Sequence, residues 1–576
     1  MTNPRARKDE SAKFTGTGSK VSKISISTSP RTGNLRNFGD PAERPFVLLC
    51  SLDWGSVPMH SQLHYTMLLH LLNLPLVVAT STDALHRVVS DVNQRLATQS
   101  DIDWRTGRCP ETSVTVLHDD RRQIMGGFGA SMTEASAMQL NSLPANAQSE
   151  LLELLFGSTG ARLSALKATM LCNDFSTQAP WSTYDDVHGD VGMVNFTIER
   201  DLRPNGTIPF LKRAYSAGFN GTLQAYMDFP PDWMLIDSLP QLGVVEPKYY
   251  DALALYFARY AEAYKSHGLA LTFLEAFNEP ADSYTRMSAL ELAKFLGQHL
   301  GPLFERRGLW PSVKLSYGGQ ATRESAGRFV PTVMADESAR KYMDVIAYHG
   351  YDCQYEDDGS CNDTRQRYDV IDSLARAYPG RALWMTEICY AYNGDDPHCK
   401  LAATLPKCTD WPRDPKLAPP LPRMDWADGP TWGHRIIKEV QAGASGWIYW
   451  NLLLNAQGGP FAYSPKHGDS GDNFQQPIVV VDAPSFRPTA LFYFLAHFSR
   501  FVRPGVARLG TREAALPEGV SAVAFEAPAE QHTPNGAVLQ LVNRATSERQ
   551  VTVCSGERIA EVTLPATSIT TAMWSA

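Results

Sequence analysis

Two glutamates close apolar runs in this chain, in Leu271-Thr-Phe-Leu-Glu-Ala-Phe-Asn-Glu-Pro280 and in Ala382-Leu-Trp-Met-Thr-Glu387. A run of β-formers that ends in a carboxylate delivers that group at a strand end, where loops can build a mouth around it. Two carboxyls facing each other there suit the hydrolysis of a glycosidic bond. One protonates the leaving oxygen, and the other attacks the anomeric carbon or activates water. A separation of about 5–5.5 Å gives a covalent intermediate and retention, whereas roughly 6.5–9.5 Å admits a water and gives inversion. Asn278, beside the first glutamate, is placed to hold the sugar 2-OH. Glu275 shares the alternating face of Glu279 but sits deeper, which makes it a buried structural partner.

The elements that must position these groups alternate along the chain. Strands are expected at 127–133, 163–170, 221–227, 271–277, 313–317, 345–348, 382–386 and 446–450, with helices such as 146–155, 249–266, 290–306, 365–377 and 434–442 between them. This α/β alternation predicts a (β/α)8 TIM barrel over 123–487, its chemistry at the C-terminal ends of the strands. No Gly-rich nucleotide loop follows any strand, which disfavours an open doubly wound sheet. From residue 488 to 576 the pattern is strands alone, at 520–527, 537–545, 549–554 and 561–574, with a turn at Thr533-Pro-Asn-Gly536. That predicts a small antiparallel β-sandwich, to which 113–122 adds a strand and in which an exposed Trp574 could meet lipid. The Pro-rich segment 405–430 reads as a long loop after the seventh strand.

Composition bounds the function. Hydrophobic residues make up 43% and charged residues 20% of 576, an ordinary globular balance too long for one core. A net charge of −8 speaks against nucleic acid as a partner. Residues 1–112 read as a disordered leader, within which the apolar run 67–79 has the length of a signal peptide. Among nine cysteines, Cys353/Cys361 and Cys399/Cys408 lie in polar segments where short-loop disulfides fit. A zinc site built from these four and His398 is the competing reading, although the spacings match no common zinc pattern. Sequons at Asn195, Asn205, Asn220 and Asn362 favour a secretory route, extracellular or lysosome-like.

Longer segments carry a resemblance. Gly127-Phe-Gly-Ala-Ser-Met-Thr-Glu134, Cys172-Asn-Asp-Phe-Ser176, Asn278-Glu-Pro280, Thr386-Glu387 and Trp447-Ile-Tyr-Trp-Asn-Leu-Leu-Leu-Asn-Ala-Gln-Gly-Gly-Pro460 resemble glycoside hydrolase family 30, in its glucosylceramidase branch. Asn473-Phe474, Pro477–Asp482 and His497–Phe501 follow in the family's order. The resemblance spans about residues 113–576. It implies Glu279 as acid/base and Glu387 as nucleophile of a retaining β-glycosidase. It also implies a pocket in which Asp174 binds sugar hydroxyls and Trp450 forms the floor, with His349, Tyr351 and Asn473 near the nucleophile or rim. Cys389 has a family counterpart and is expected to be a buried thiol. Where the family carries a pocket Trp, the segment Ala225-Tyr-Met-Asp-Phe-Pro-Pro-Asp-Trp233 has Asp228, and the fifth strand ends in Tyr317-Gly-Gly-Gln320 instead of acidic residues.

These readings converge on a glucosylceramide-like glycolipid as substrate. A β-linked polysaccharide (xylan, β-1,6-glucan or galactan) is the alternative within the same mechanism. A catalytically silent carbohydrate- or lipid-binding protein is the alternative from another class. Neither metal nor organic cofactor is expected. A membrane surface enters only through a lipid substrate, and the resemblance leaves room for an activator protein.

Overall fold

The computed structural model describes residues 84–575, apart from residues 172, 177–181, 240–241, 281–284, 353–362, 390, 393–425, 461–473 and 529–535. Eight parallel strands are β1 (Gly127–Met132), β2 (Ala165–Thr169), β3 (Thr222–Tyr226), β4 (Phe273–Glu275), β5 (Lys314–Ser316), β6 (Val345–His349), β7 (Ala382–Glu387) and β8 (Ala444–Tyr449). They pair in the order 5-4-3-2-1-8-7-6. Parallel bridges from Leu315 to Met343 and from Gln320 to Tyr348 close β5 onto β6. The expected (β/α)8 barrel is present, with each strand on its predicted segment.

The barrel interior is built in layers, because successive residues on one strand face are two apart. Ala165, Phe273, Val345, Trp384 and Ile448 form an apolar floor, with the Phe273 and Trp384 rings 5.3 Å apart. Trp384 needs glycine opposite it: a Cβ on Gly446 would lie 2.2 Å from the indole. Two residues above Ala165 on β2 comes Lys167, two above Phe273 on β4 comes Glu275, and four above Val345 on β6 comes His349. All three are 0% exposed. An apolar plug therefore supports a charged layer directly beneath the mouth.

Helices cover the outside. Tyr250–Ser266 and Tyr368–Ala377 form close to their expected places. The stretch expected as one helix at 290–306 is instead Ala289–Lys294, a π turn over Phe295–Leu300, and Gly301–Arg306. Pro302, which has no N–H for the carbonyl four residues back, lies where the wider turn tightens again. Ser288 and Glu291 cap the start reciprocally. No helix among the described residues is long and apolar enough to cross a membrane.

The smaller domain corrects several expectations. Residues 84–112 are not leader: Ala84–Ser90 and Ala97–Asp103 are strands, and Ala84–Ser90 pairs with Ser568–Trp574. Their apolar residues, Leu85 foremost, join the β-domain core, which is what holds them in the sheet. The expected strand at 113–122 runs as Ser113–Ile124 and pairs antiparallel with Ala507–Ala514 and parallel with Arg549–Ser555. The segment 561–574 is two strands, Arg558–Leu564 and Ser568–Trp574, not one. Ten strands follow one another in a single sheet order, and Leu85, Val116, Leu541, Val562 and Trp574 from across that order share one core. The domain does not start at residue 488, because Ala490–Phe501 is a helix packed on β1. Trp574 is not exposed: it is buried edge-on against Trp104 at 5.5 Å, so it offers lipid no surface.

The disulfide in the described chain joins Cys109 to Cys554, a pair the sequence reading did not single out. Cys353, Cys361, Cys399 and Cys408 lie outside the described residues, as do 67–79, 405–425 and Asn362. Cys109–Cys554 closes a loop of 445 residues between the two halves of the β-domain. Replacing both cysteines by serine is expected to cost about 2–5 kcal/mol of stability. A lowered Tm in differential scanning calorimetry checks this.

Candidate active site

Glu279 and Glu387 meet at the C-terminal mouth. An oxygen of each carboxylate and a ring nitrogen of His349 all lie within 4.8 Å of one another. Glu387 ends β7, where the β6–β7 register sets His349 opposite it. Glu279 follows β4 in left-handed backbone, φ 44°. Such a conformation costs a non-glycine residue about 1–3 kcal/mol. Two hydrogen bonds hold it: Glu279 N–H donates to Gly319 O at 2.7 Å, and Asn278 N–H to Met227 O at 2.9 Å. The turn aims the glutamate at the mouth.

Each carboxylate has its own partners. Lys167 Nζ donates to Glu387 Oε2 at 2.9 Å and Tyr351 OH donates to Oε1 at 3.1 Å. His349 Nδ1 meets Glu279 Oε1 at 2.8 Å and stands 3.8 Å from Glu387 Oε1. Burial, then the negative Glu387, pushes the Glu279 carboxyl above its usual range, while His349 opposes the shift. Burial works to lower the His349 pKa, yet Glu387, Glu275 and Glu279 outweigh it and raise it to about 9. Burial likewise opposes the charge of Lys167, but Glu387 and Glu275 prevail and its pKa rises. The surrounding carboxylates thus favour the cationic forms of His349 and Lys167. These same three residues, Glu279, His349 and Glu387, are the group that could meet a metal ion. His349 Nδ1 already meets Glu279 and Glu387 is already paired to Lys167, so the donor set suits proton transfer better than metal binding.

Several further side chains lie beside Glu387. Trp450 is buried edge-on to Phe175 at 5.9 Å and Tyr226 at 5.7 Å. Lys167 Nζ lies over the Tyr226 ring, 3.8 Å from its centroid. Asp174 is half-buried and accepts from Gln475 Nε2 at 3.5 Å; Gln475 Oε1 in turn accepts from Asn451 Nδ2 at 2.9 Å. Asp228 is buried too, and Tyr226 OH donates to its Oδ2 at 3.2 Å. Burial first, then the negative Asp174 and Glu387, pushes the Asp228 carboxyl well above the carboxylate range. That shift favours the protonated form, which could donate a hydrogen bond. Cys389 is the buried thiol expected, 3.5 Å from Tyr351 OH.

Of the predicted site residues, the structure gathers Glu279, Glu387, His349, Tyr351, Asp174, Asn278 and Trp450 into one mouth. Asn473 lies outside the described residues. Asn278 Oδ1 is buried without a hydrogen-bond partner. Lys167 and Gln475 were missed. Lys167 did carry a signal, since a lone lysine inside Leu163-Ser-Ala-Leu-Lys-Ala-Thr-Met170 is out of place in a strand buried on both faces.

Comparison with known proteins agrees with this geometry. Residues 125–404 and 423–502 match the Glycosyl hydrolase family 30 TIM-barrel domain, so the chain belongs to glycoside hydrolase family 30 and is a glycosidase. The lysosomal acid glucosylceramidase of Mus musculus is 25% identical over 481 residues, 80% of this chain and 83% of that one. An endo-1,6-beta-D-glucanase of Neurospora crassa is 25% identical over 448 residues, 75% of this chain and 81% of that one. Among solved structures, SrfJ from Salmonella typhimurium superposes with a TM-score of 0.69 at 22% identity, covering 85% of this chain and all of that one.

Removing one partner of a buried ion pair leaves the other uncompensated. Lys167→Met is therefore expected to cost about 3–5 kcal/mol of stability, and to depress kcat because Glu387 loses its counter-ion. Chemical denaturation and turnover measured on the same preparation check both.

Proposed function

We propose that this glycosidase cleaves a β-glucoside with retention, its substrate a glucosylceramide-like glycolipid. The observation that carries retention is the approach of Glu279 and Glu387 oxygens to within 4.8 Å. That is close for direct attack and too close for an intervening water of the inverting kind. Glu387 attacks the anomeric carbon while Glu279 protonates the glycosidic oxygen, and the sugar becomes esterified to Glu387. Glu279, now ionised, takes a proton from water, which displaces the sugar and restores both groups. Tyr351 and Lys167 orient the Glu387 carboxylate, and Asp174, Asp228 and Trp450 receive the glycon. The likeness to a glucosylceramidase over most of both chains supports the lipid substrate. The equal likeness to a β-1,6-glucanase, together with Asp228 in the pocket, supports a second reading in which the aglycone is another sugar. An oxidising, secretory destination fits the Cys109–Cys554 bond and the exposed Asn195 and Asn220 sequons.

The test is glucose release from glucosylceramide in mixed micelles and from β-1,6-glucan, alongside aryl β-glycosides, with Glu387→Gln as control. Glucose from the lipid alone supports the first reading, and oligosaccharides from the glucan alone the second. Full activity in Glu387→Gln defeats the mechanism. An alkaline limb is also expected in the pH profile. Activity falls as pH rises through the raised Glu279 pKa, because the proton donor is lost.

The pocket acid gives a separate outcome. If Asp228 acts as a neutral donor, Asp228→Asn keeps KM within a few-fold. Asp228→Leu, which strands a sugar hydroxyl, raises it by about tenfold or more. Steady-state kinetics on the best aryl glycoside decides it.

A further inference from the structure

Glu275 touches no reacting atom in this scheme, and its side chain is 0% exposed. It is nevertheless bound on every side. Gln224 Nε2 donates to its Oε2 at 2.6 Å and Gly319 N–H to its Oε1 at 2.9 Å, the latter oxygen lying 3.6 Å from His349 Nε2. The other ring nitrogen of His349 meets Glu279 at 2.8 Å. One imidazole thus stands between two carboxylates, hydrogen-bonded to Glu279 through Nδ1 and within ion-pair but not hydrogen-bond distance of Glu275 through Nε2. The Gly319 residue joins the set from both ends, its N–H on Glu275 and its carbonyl accepting from Glu279 N–H at 2.7 Å. A Cβ at position 319 would fall 2.5 Å from both Glu275 Oε1 and His349 Nε2. Only glycine lets the carboxylate, the ring and the Glu279 backbone close together.

We infer that Glu275 is a positioning residue for the acid/base: it fixes the His349 ring against Glu279 and shares that ring's charge, so setting the pH range in which Glu279 keeps its proton. The inference rests on Glu279 being the proton donor. Charged or titratable groups facing Glu275 are Lys167 from β2, His349 from β6 and Tyr317 beyond β5, with Thr386 of β7 as a hydrogen-bond partner. Burial would raise the Glu275 pKa, but Lys167 and His349 outweigh it and hold the group below the usual carboxylate range. These neighbours favour the anionic form of Glu275. Facing Glu279 are His349, Glu387, Lys167, Asp228, Tyr351 and Cys389, and facing His349 are Glu387, Glu275, Glu279 and Lys167. Without the Glu275 charge, the cations Lys167 and His349 have one anion fewer to balance and act more strongly on Glu279, which ionises more easily.

Glu275→Gln keeps the shape and an oxygen for Gly319 N–H but removes the charge. The alkaline limb of kcat/KM is expected to move to lower pH by about half a unit or more. Glu275→Asp, which keeps the charge, returns the limb toward its original place. In a His349→Asn background the same Glu275→Gln change shifts the limb much less. An unmoved limb in folded Glu275→Gln, or an equal shift without His349, overturns the inference. If Glu275→Gln does not fold, nitrogen-15 NMR of the wild-type histidines decides instead, with His349→Asn to assign the signal. A His349 ring carrying both protons at neutral pH supports the inference, and a neutral ring overturns it. Activity surviving in Glu387→Gln or Glu279→Gln would instead sink the underlying reading, which keeps the two failures distinct.

Discussion

The constraint on which this active site depends is the cost of placing charge inside a packed barrel. A single ion taken out of water is penalised by several kcal/mol, and only close opposite charges and hydrogen bonds offset it. Glu387 and Lys167 meet that condition pairwise at 2.9 Å. Glu275, His349 and Glu279 meet it as a row, with the ring in the middle. Cations from β2 and β6 are interleaved with carboxylates from β4 and β7, so no strand carries its charge alone. The apolar floor beneath them excludes water from below. Every other feature of the mouth is arranged around a charge balance that this layer has already set.

That balance also separates chemistry from specificity. In the proposed scheme, the reacting carboxylates stand at strand ends, fixed by register and by the Gly319 peptide. The groups proposed to meet the sugar come from the segments beyond the strands: Asp174 after β2, Asp228 after β3, Trp450 after β8. The buried carboxyl at 228 accepts from the Tyr226 hydroxyl, and burial with neighbouring carboxylates pushes its pKa well up.

Much of this was legible in the sequence because the barrel writes itself in two periods, short apolar runs and amphipathic helices. Strand ends then point to Glu279 and Glu387 without further help. What was hidden depends on neighbours remote in the chain. The roles of Lys167 and Gln475 require knowing which strands adjoin, and Glu275 read as structural because its link to His349 crosses from β4 to β6. The N-terminal strands were missed for another reason: Ala97–Asp103, as Ala-Thr-Gln-Ser-Asp-Ile-Asp, is too polar to read as a strand by itself. Its place comes from pairing with Ala84–Ser90, which is itself paired to the end of the chain. Likewise Cys109 and Cys554, far apart in sequence, advertise nothing until the sheet brings them together.

The pairing of Ala84–Ser90 with Ser568–Trp574 bears on how the polypeptide is made. A ribosome delivers the opening strands of the β-domain first, then the whole barrel, and only at the end the strand that receives them. Throughout synthesis of the barrel, the opening strands present an unsatisfied edge of the kind that invites wrong partners. The barrel, with its strands in consecutive order, can close vectorially behind them. Ser568–Trp574 then acts as the clasp, so a nascent chain that has not yet reached it carries a closed barrel beside an open sheet.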